Sequence, residues 1–179
     1  MIPDIILGEG KDVACYRVIT PVHASTPLSG MGAARQGGRF NRPGQEALYL
    51  SLDEVTALAE YKQDNPWLLP GTICTFFVRG LRVADFSAGF APERWPPLWA
   101  DFAVDWRAEW FGNGNEPPTW YMADDVVASG LNGILFPSQA HPGGTNLVIY
   151  RSSTRPAVQL RVHDPNGALR KIAPPSSGK

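Results

Sequence analysis

An α+β fold is the class this sequence predicts, and three observations carry it. Short runs rich in β-branched residues recur from one end of the chain to the other. Helical spacing or helix punctuation marks far fewer stretches, near 52–63, 98–111 and 119–129. No internal repeat and no linker divides the chain, so its 179 residues read as one domain. We expect that domain over residues 1–171, with a disordered tail at 172–179.

The elements follow in order. VACYRVIT (13–20) alternates and predicts a strand, with Arg17 on the face of Val13, Cys15 and Ile19. A charge on that face must reach solvent or meet a partner. Pro21 stops the strand, and 21–46 shows no periodicity, so it reads as a long loop of the kind that often binds. ALYLS (47–51) is a short strand with Tyr49 opposite Leu48 and Leu50. Ser51 to Glu54 has the spacing of a capping box, which starts a helix over about 52–63. Its apolar side carries Val55, Leu58, Ala59 and Lys62, and Glu60 lies off that side. Asn65-Pro66 ends it.

TICTFFVRG (72–80) is the clearest strand, and LRVADF (81–86) continues the sheet after Gly80. Residues 91–121 hold Trp95, Trp99, Trp106, Trp110 and Trp120. Here LWADFAVDWRAEWF predicts a helix, with Leu98, Phe102, Trp106 and Trp110 at i, i+4 spacing. A second helix runs from Thr119 to Ser129, with Gly130 placed for a left-handed C-terminal cap. GILFPS (133–138) and NLVIYR (146–151) are strands joined by the polar loop QAHPGGT, and AVQLRVH (157–163) is the last strand.

Composition narrows the function. The net charge of -1 gives no global field for nucleic acid or an anionic membrane. The Trp-rich stretch interleaves only Arg94 and Arg107, and so reads as core and rim rather than a base-stacking surface. Cys15 and Cys74 stand alone, without metal spacing to His23, His141 or His163, so we expect no metal. The N-terminus MIPDIILGEG lacks a basic leader, and no apolar run approaches a membrane span. A soluble cytoplasmic protein is expected.

One loop invites an anion. GMGAARQGGRFNRPG brings together Gly30, Gly32, Gly37, Gly38 and Gly44 with Arg35, Arg39 and Arg42. The dinucleotide fingerprint fails, because Arg35 stands at its last glycine position and no strand precedes it. The Walker A pattern fails too, since Gly38-Arg39 replaces Lys-Ser/Thr and a strand follows. Glycines that let backbone amides approach an anion, and arginines that clamp phosphate, remain. From spacing alone, a solvated turn-rich loop is the better reading. By default Glu60 is a solvated helix residue, Tyr49 a half-buried sheet tyrosine and Ser138 a turn residue. Asp101, Asp105 and Glu109 read as a solvated helical stripe.

Taken in order, Tyr16-Arg17, GGRFN (37–41), ALYLS (47–51), TALAEY (56–61), GILFPS (133–138) and Asn146 resemble the RES domain family. That family is named for an arginine, a glutamate and a serine, and the resemblance covers about 13–151. It implies an ADP-ribosyltransferase-like fold: a split, mainly antiparallel β core with peripheral helices. It implies a toxin of a bacterial toxin–antitoxin pair that consumes NAD+ and passes ADP-ribose to water, phosphate or a protein target. Its partner would be an Xre-like helix-turn-helix antitoxin. By the same resemblance Arg17, Arg39, Tyr49, Glu60, Ser138 and Asn146 are the site. Glu60, Arg17 and Tyr49 are the catalytic candidates; Arg17, Arg39, Tyr49, Ser138 and Asn146 would bind NAD+. Arg35 and Arg42 read as loop charges. The reading from a different class is a non-catalytic module holding an anionic ligand or a partner protein through this loop.

Overall fold

The computed structural model describes residues 1–63, 67–150 and 159–169. Among them eight strands form one sheet: β1 (Asp4–Leu7), β2 (Val13–Ile19), β3 (Ala47–Ser51), β4 (Thr72–Arg79), β5 (Leu81–Asp85), β6 (Gly133–Pro137), β7 (Thr145–Tyr150) and β8 (Gln159–Val162). Their order is β1-β5-β6-β7-β3-β2-β4-β8. Only β5 and β6 run parallel; the other neighbours are antiparallel. The α+β class with a mainly antiparallel core is therefore present.

The sheet curls because its longest ribbon is bent. β4 and β5 are separated by Gly80 alone, and the Gly80 amide donates to the Gly8 carbonyl at 3.2 Å. On one side of the bend β5 pairs with β1 and β6; on the other β4 pairs with β2 and β8. β2 and β3 register at a single pair, Tyr16 with Ser51, and part beyond it. A cleft opens at that split.

Alternation places two cores on the two faces of the sheet. Ala84, Ile134, Phe136, Val148 and Tyr150 face one cluster with Phe86, Trp95, Trp99 and Phe102. Val83, Leu135, Leu147 and Ile149 face the other with Cys15, Leu48, Leu50 and Phe76. Burial of the Cys15 thiol pushes its pKa up to about 12, so it stays protonated and behaves as an apolar residue.

Several sequence expectations change. β1 is an added edge strand that the short, unalternating DIIL did not announce. The 21–46 stretch is not all loop: it holds a 3-10 turn at Pro21–His23 and a short helix α1 (Met31–Gln36). The helix expected over 52–63 is α2 (Glu54–Lys62), and no Ser51 capping box forms. Ser51 remains in β3, and Asp53 caps instead, accepting the Thr56 amide at 2.7 Å. The expected end at Asn65-Pro66 lies outside the described residues, as do the proposed tail and Arg151.

The expected helix over 98–111 is two shorter turns. A 3-10 segment runs Pro97–Ala103, and a π-helical turn runs Ala108–Asn113. Val104 between them is extended, and the Asp105 carboxylate accepts the amides of Arg107 and Ala108 to restart the chain. The aromatic cluster dictates the break. Trp99 and Phe102, three apart, both enter the core beside Phe86, as a 3-10 period allows. The last helix, α3 (Pro118–Ala128), ends as expected. Gly130 adopts φ 74, its amide reaches Val127, and that of Leu131 reaches Val126, the Schellman pattern.

The cap at α2 gives a first prediction. Hydrogen bonds from the Thr56 hydroxyl and amide hold the Asp53 carboxyl below its ordinary value. A depressed folded-state value stabilises the fold above the unfolded value, and the gain disappears as pH falls through the folded one. Asp53→Ala is expected to lose about 1 kcal/mol. It would appear as a lower urea midpoint with an unchanged slope at pH 7, and as a shrinking difference from the parent in acid.

Candidate functional site

Glu60 sits on the inward face of α2. The apolar side expected from the sequence, Val55 and Leu58, is the exposed one, and Thr56 and Ala57 are buried instead. Helical amphipathicity points to an apolar core. This helix covers a polar cleft, so its inward side carries Thr56 and Glu60. Glu60 is therefore not the solvated residue that its type suggests.

The carboxylate is held from one side. Ser138 Oγ donates to Glu60 Oε1 at 2.7 Å, and Asn146 Nδ2 donates to the same oxygen at 2.5 Å. Asn146 is itself fixed by Ser51, whose Oγ donates to its Oδ1 at 2.8 Å. Ser138 is fixed by the His141 amide, which donates to its Oγ at 2.9 Å. Within the described residues no hydrogen bond is made to Oε2. Glu60 and Asn146 line the cleft, whereas Ser138 stands behind Glu60.

His141 joins the support. Thr56 Oγ1 lies 2.7 Å from Asp53 Oδ2 and 2.8 Å from His141 Nδ1. The Thr56 hydroxyl has one proton, and the carboxylate can only accept it. His141 Nδ1–H is then the donor to Thr56. Sequence inspection found no role for this histidine, because it is 85 positions from Thr56 along the chain.

Arg17 reaches the cleft from β2. Its Nη1 donates to the carbonyls of Ser29 at 3.2 Å and Pro27 at 3.5 Å. Its Nε and Nη2 make no hydrogen bond within the described residues. Burial lowers its pKa, the expected cost of taking a charge from water. The guanidinium thus keeps unengaged donors beside the split between β2 and β3.

The glycine–arginine loop is an ordered turn around Asn41. Asn41 is fully buried, and its Nδ2 lies within reach of the carbonyls of Ala33, Arg42 and Gln45. The Tyr49 hydroxyl donates to Asn41 Oδ1 at 2.8 Å and accepts the Phe40 amide at 3.0 Å. Burial pushes the Tyr49 pKa well above the usual tyrosine range. It lines the cleft as a neutral ring whose hydroxyl is already committed. Gly38 is required by this approach: a Cβ there would lie 2.7 Å from the Tyr49 hydroxyl oxygen.

Arg39 also lines the cleft, but its fork is largely engaged. Nη1 donates to the Phe102 carbonyl at 2.8 Å and to that of Val104 at 3.0 Å, and Nη2 donates to Gln139 Oε1. Arg39 straps the Trp-rich segment to the loop. Arg42, expected as a loop charge, is a strut. It pairs with Glu116 at 2.9 Å and Asp124 at 2.8 Å and lies over the rings of Trp120 and Tyr121. Arg35 is exposed.

The cleft so formed has a volume of about 990 Å³. That is at the top of the usual range for small-molecule sites. The Trp-rich segment supplies a wall that sequence reading assigned no role: Asp105, Trp106, Arg107 and Phe111. Asp105 is exposed, as expected, but it lines the cleft, and the break at Val104 removes the helical stripe that would join it to Asp101. The density of aromatic residues was the available signal, but it did not separate Trp106, which lines the cleft, from Trp99, which does not. Among the described residues no group of three or more His, Cys, Asp or Glu is placed to hold a metal ion. No helix there is long and apolar enough to cross a membrane.

Comparison with known proteins adds the family. The RES domain model matches residues 14–171. The chain belongs to the RES domain family. A chain of the crystal structure of the M. tuberculosis MbcT–MbcA toxin–antitoxin complex superposes on it with a TM-score of 0.60 at 25% identity. The match covers 94% of this chain and 90% of that one. A search of curated proteins gives no match. Within this RES domain, the residues that the resemblance singled out converge on one cleft. Arg17, Arg39, Tyr49, Glu60 and Asn146 line it, and Ser138 anchors Glu60 from behind.

Proposed function

We propose that this RES domain protein is the toxin of a toxin–antitoxin pair and that it cleaves the nicotinamide–ribose bond of NAD+. The observation that carries the reading is the Glu60 carboxylate. It is fixed through Oε1 by Ser138 and Asn146, has Oε2 without a partner in the described residues, and lies in a cleft with Arg17 and Tyr49.

The chemistry suits these residues. Nicotinamide in NAD+ is cationic and leaves as a neutral base, so no general acid is needed. Departure builds oxocarbenium character on the ribose, as in glycoside hydrolysis. A preorganised carboxylate stabilises that charge without reorganising during the reaction. In the proposal Glu60 Oε2 faces the developing centre or the 2′-hydroxyl, and Ser138 and Asn146 keep it there. The free donors of Arg17 hold the diphosphate through charge-assisted hydrogen bonds. The Tyr49 ring packs against the ribose or the nicotinamide. The bond that breaks is C1′–N, its electron pair goes to nicotinamide, and the acceptor is water, phosphate or a protein side chain.

The partner is proposed to be an Xre-like helix-turn-helix antitoxin that covers this cleft. The solved complex of a similar chain with its antitoxin supports a protein partner. NAD+ incubated with the purified chain is expected to disappear with release of nicotinamide, and the cognate antitoxin is expected to stop it. Undiminished NAD+ would overturn the enzyme reading. Saturable NAD+ binding without turnover would favour a binding module instead.

The two loop arginines separate cleanly. Arg39→Ala removes a cleft cation and the strap on the Phe102 and Val104 carbonyls, and is expected to slow NAD+ consumption at least tenfold. Arg42→Ala removes exposed ion pairs, each worth about 1 kcal/mol or less, and is expected to leave the rate within twofold. Steady-state rates of the two variants check the assignment, and the reverse order would contradict it.

A further inference from the structure

The cleft contains more positive charge than the family resemblance accounts for. It is lined by Arg17, Arg39 and Arg107 against the carboxylates of Glu60 and Asp105. None of these arginines is in an ion pair within the described residues, whereas Arg42, Arg79, Arg82 and Arg161 each meet a carboxylate. Asp105 turns its Oδ1 to the amides of Arg107 and Ala108.

Arg107 is held in a defined pose without being neutralised. Its guanidinium lies over the Trp106 ring, 4.8 Å from the centroid. One donor, on Nη2, reaches Gln63 Oε1 at 2.8 Å, a bond that links the end of α2 to the Trp-rich segment. Its other donors make no hydrogen bond within the described residues. Burial is the main cause that lowers the Arg39 pKa; the nearby Arg107 charge also lowers it, while Tyr49, Glu60 and Asp105 act in the other direction. Both guanidinium groups line the same cleft, Arg39 half-buried and Arg107 exposed, and like charges gathered there favour an entering anion. Phe111, largely exposed, adds an apolar surface beside the pair.

We propose that Arg107, stacked on Trp106, and Arg39 form an anion subsite at the Gln63 side of the cleft that takes a phosphate group of the dinucleotide. The entering phosphate displaces the Gln63 amide from Arg107. The identity of the ligand rests on the reading of the cleft as an NAD+ site; the subsite itself rests on the unpaired arginines. Arg107 is a binding residue here, contributed by the segment that matched no part of the family motif.

Calorimetric titration of the whole chain tests both levels, with ADP-ribose, adenosine and inorganic pyrophosphate as probes. Arg107→Ala is expected to weaken ADP-ribose and pyrophosphate at least tenfold, the loss of a charge-assisted contact, and to leave adenosine unchanged. Gln63→Ala removes the same bridge without the charge and is expected to leave ADP-ribose binding within about twofold. Parent-like binding of ADP-ribose and pyrophosphate by Arg107→Ala overturns the subsite and leaves the NAD+ reading intact. Equal losses in Arg107→Ala and Gln63→Ala, or an equal loss for adenosine, also overturn it by showing a structural bridge. Arg107-dependent binding of pyrophosphate without binding of ADP-ribose keeps the phosphate subsite and removes the dinucleotide. Failure of the parent chain to bind either anion overturns both.

Discussion

Glu60→Gln is expected to lower the rate of nicotinamide release by about 10²–10³ while the chain remains folded. That loss corresponds to about 2.7–4 kcal/mol of transition-state stabilisation. The substitution preserves shape, so Ser138 Oγ and Asn146 Nδ2 can still donate to the side-chain carbonyl that replaces Oε1. What disappears is the negative charge at Oε2, where the proposal needs it. An NH2 group in that position presents hydrogens to a carbon that is becoming positive. Binding of NAD+ should change little, because the diphosphate contacts are elsewhere, so the effect falls on kcat rather than KM. Thermal unfolding within a few degrees of the parent would show that the fold is intact. A drop in kcat below tenfold would remove Glu60 from the chemistry.

The second large effect is on stability. Trp99 is fully buried, with its ring 4.3 Å from that of Trp95 and 4.9 Å from that of Phe86, centroid to centroid. Trp99→Ala is expected to cost about 3–5 kcal/mol, from lost transfer energy and the cavity left behind. Among the described residues its indole Nε1 has no hydrogen-bond partner. Trp99→Phe removes that unsatisfied donor while keeping most of the ring, and should cost much less than Trp99→Ala. The same segment carries the Phe102 and Val104 carbonyls that anchor Arg39. Trp99→Ala should therefore also raise the KM for NAD+ in whatever fraction remains folded. Urea unfolding of the two variants gives the comparison, and equal midpoints would contradict the packing account.

Strands were legible where β-branched runs alternate. β2, β3, β4, β5, β6 and β8 all lie within the stretches that the sequence predicts, and β7 begins one residue early, at Thr145. β1 was missed because DIIL has only four residues and no alternation; it is defined by pairing with β5 and leaves Ile5 and Ile6 exposed. Helices were less legible where their environment is unusual. On α2, apolar periodicity chose Val55 and Leu58, but the inward face meets a polar cleft. In the Trp-rich segment, i, i+4 aromatic spacing suggested one helix, while packing of Trp99 and Phe102 around Phe86 imposes a 3-10 turn and a break before Asp105.

The site was legible through the order of its motif, not through any one residue. Glu60, taken alone, is a surface glutamate; its partners Ser138 and Asn146 are 78 and 86 positions away, so no local pattern reveals the bond. Arg39 shows the opposite limit. The sequence placed it in the loop but gave no sign that two backbone carbonyls engage Nη1. Trp106 and Arg107 are adjacent in sequence, but Gln63, 44 positions away, meets them only through the fold.

Mass analysis of NAD+ after incubation with the purified chain, beside Glu60→Gln, shows whether the Glu60 carboxylate drives nicotinamide release. Free nicotinamide is expected from the parent chain, with a matching amount of ADP-ribose as the free sugar, its phosphate ester or an adduct on protein, and about 10²–10³ less from the variant. Intact NAD+ in the parent reaction, or equal nicotinamide from both chains, would contradict it.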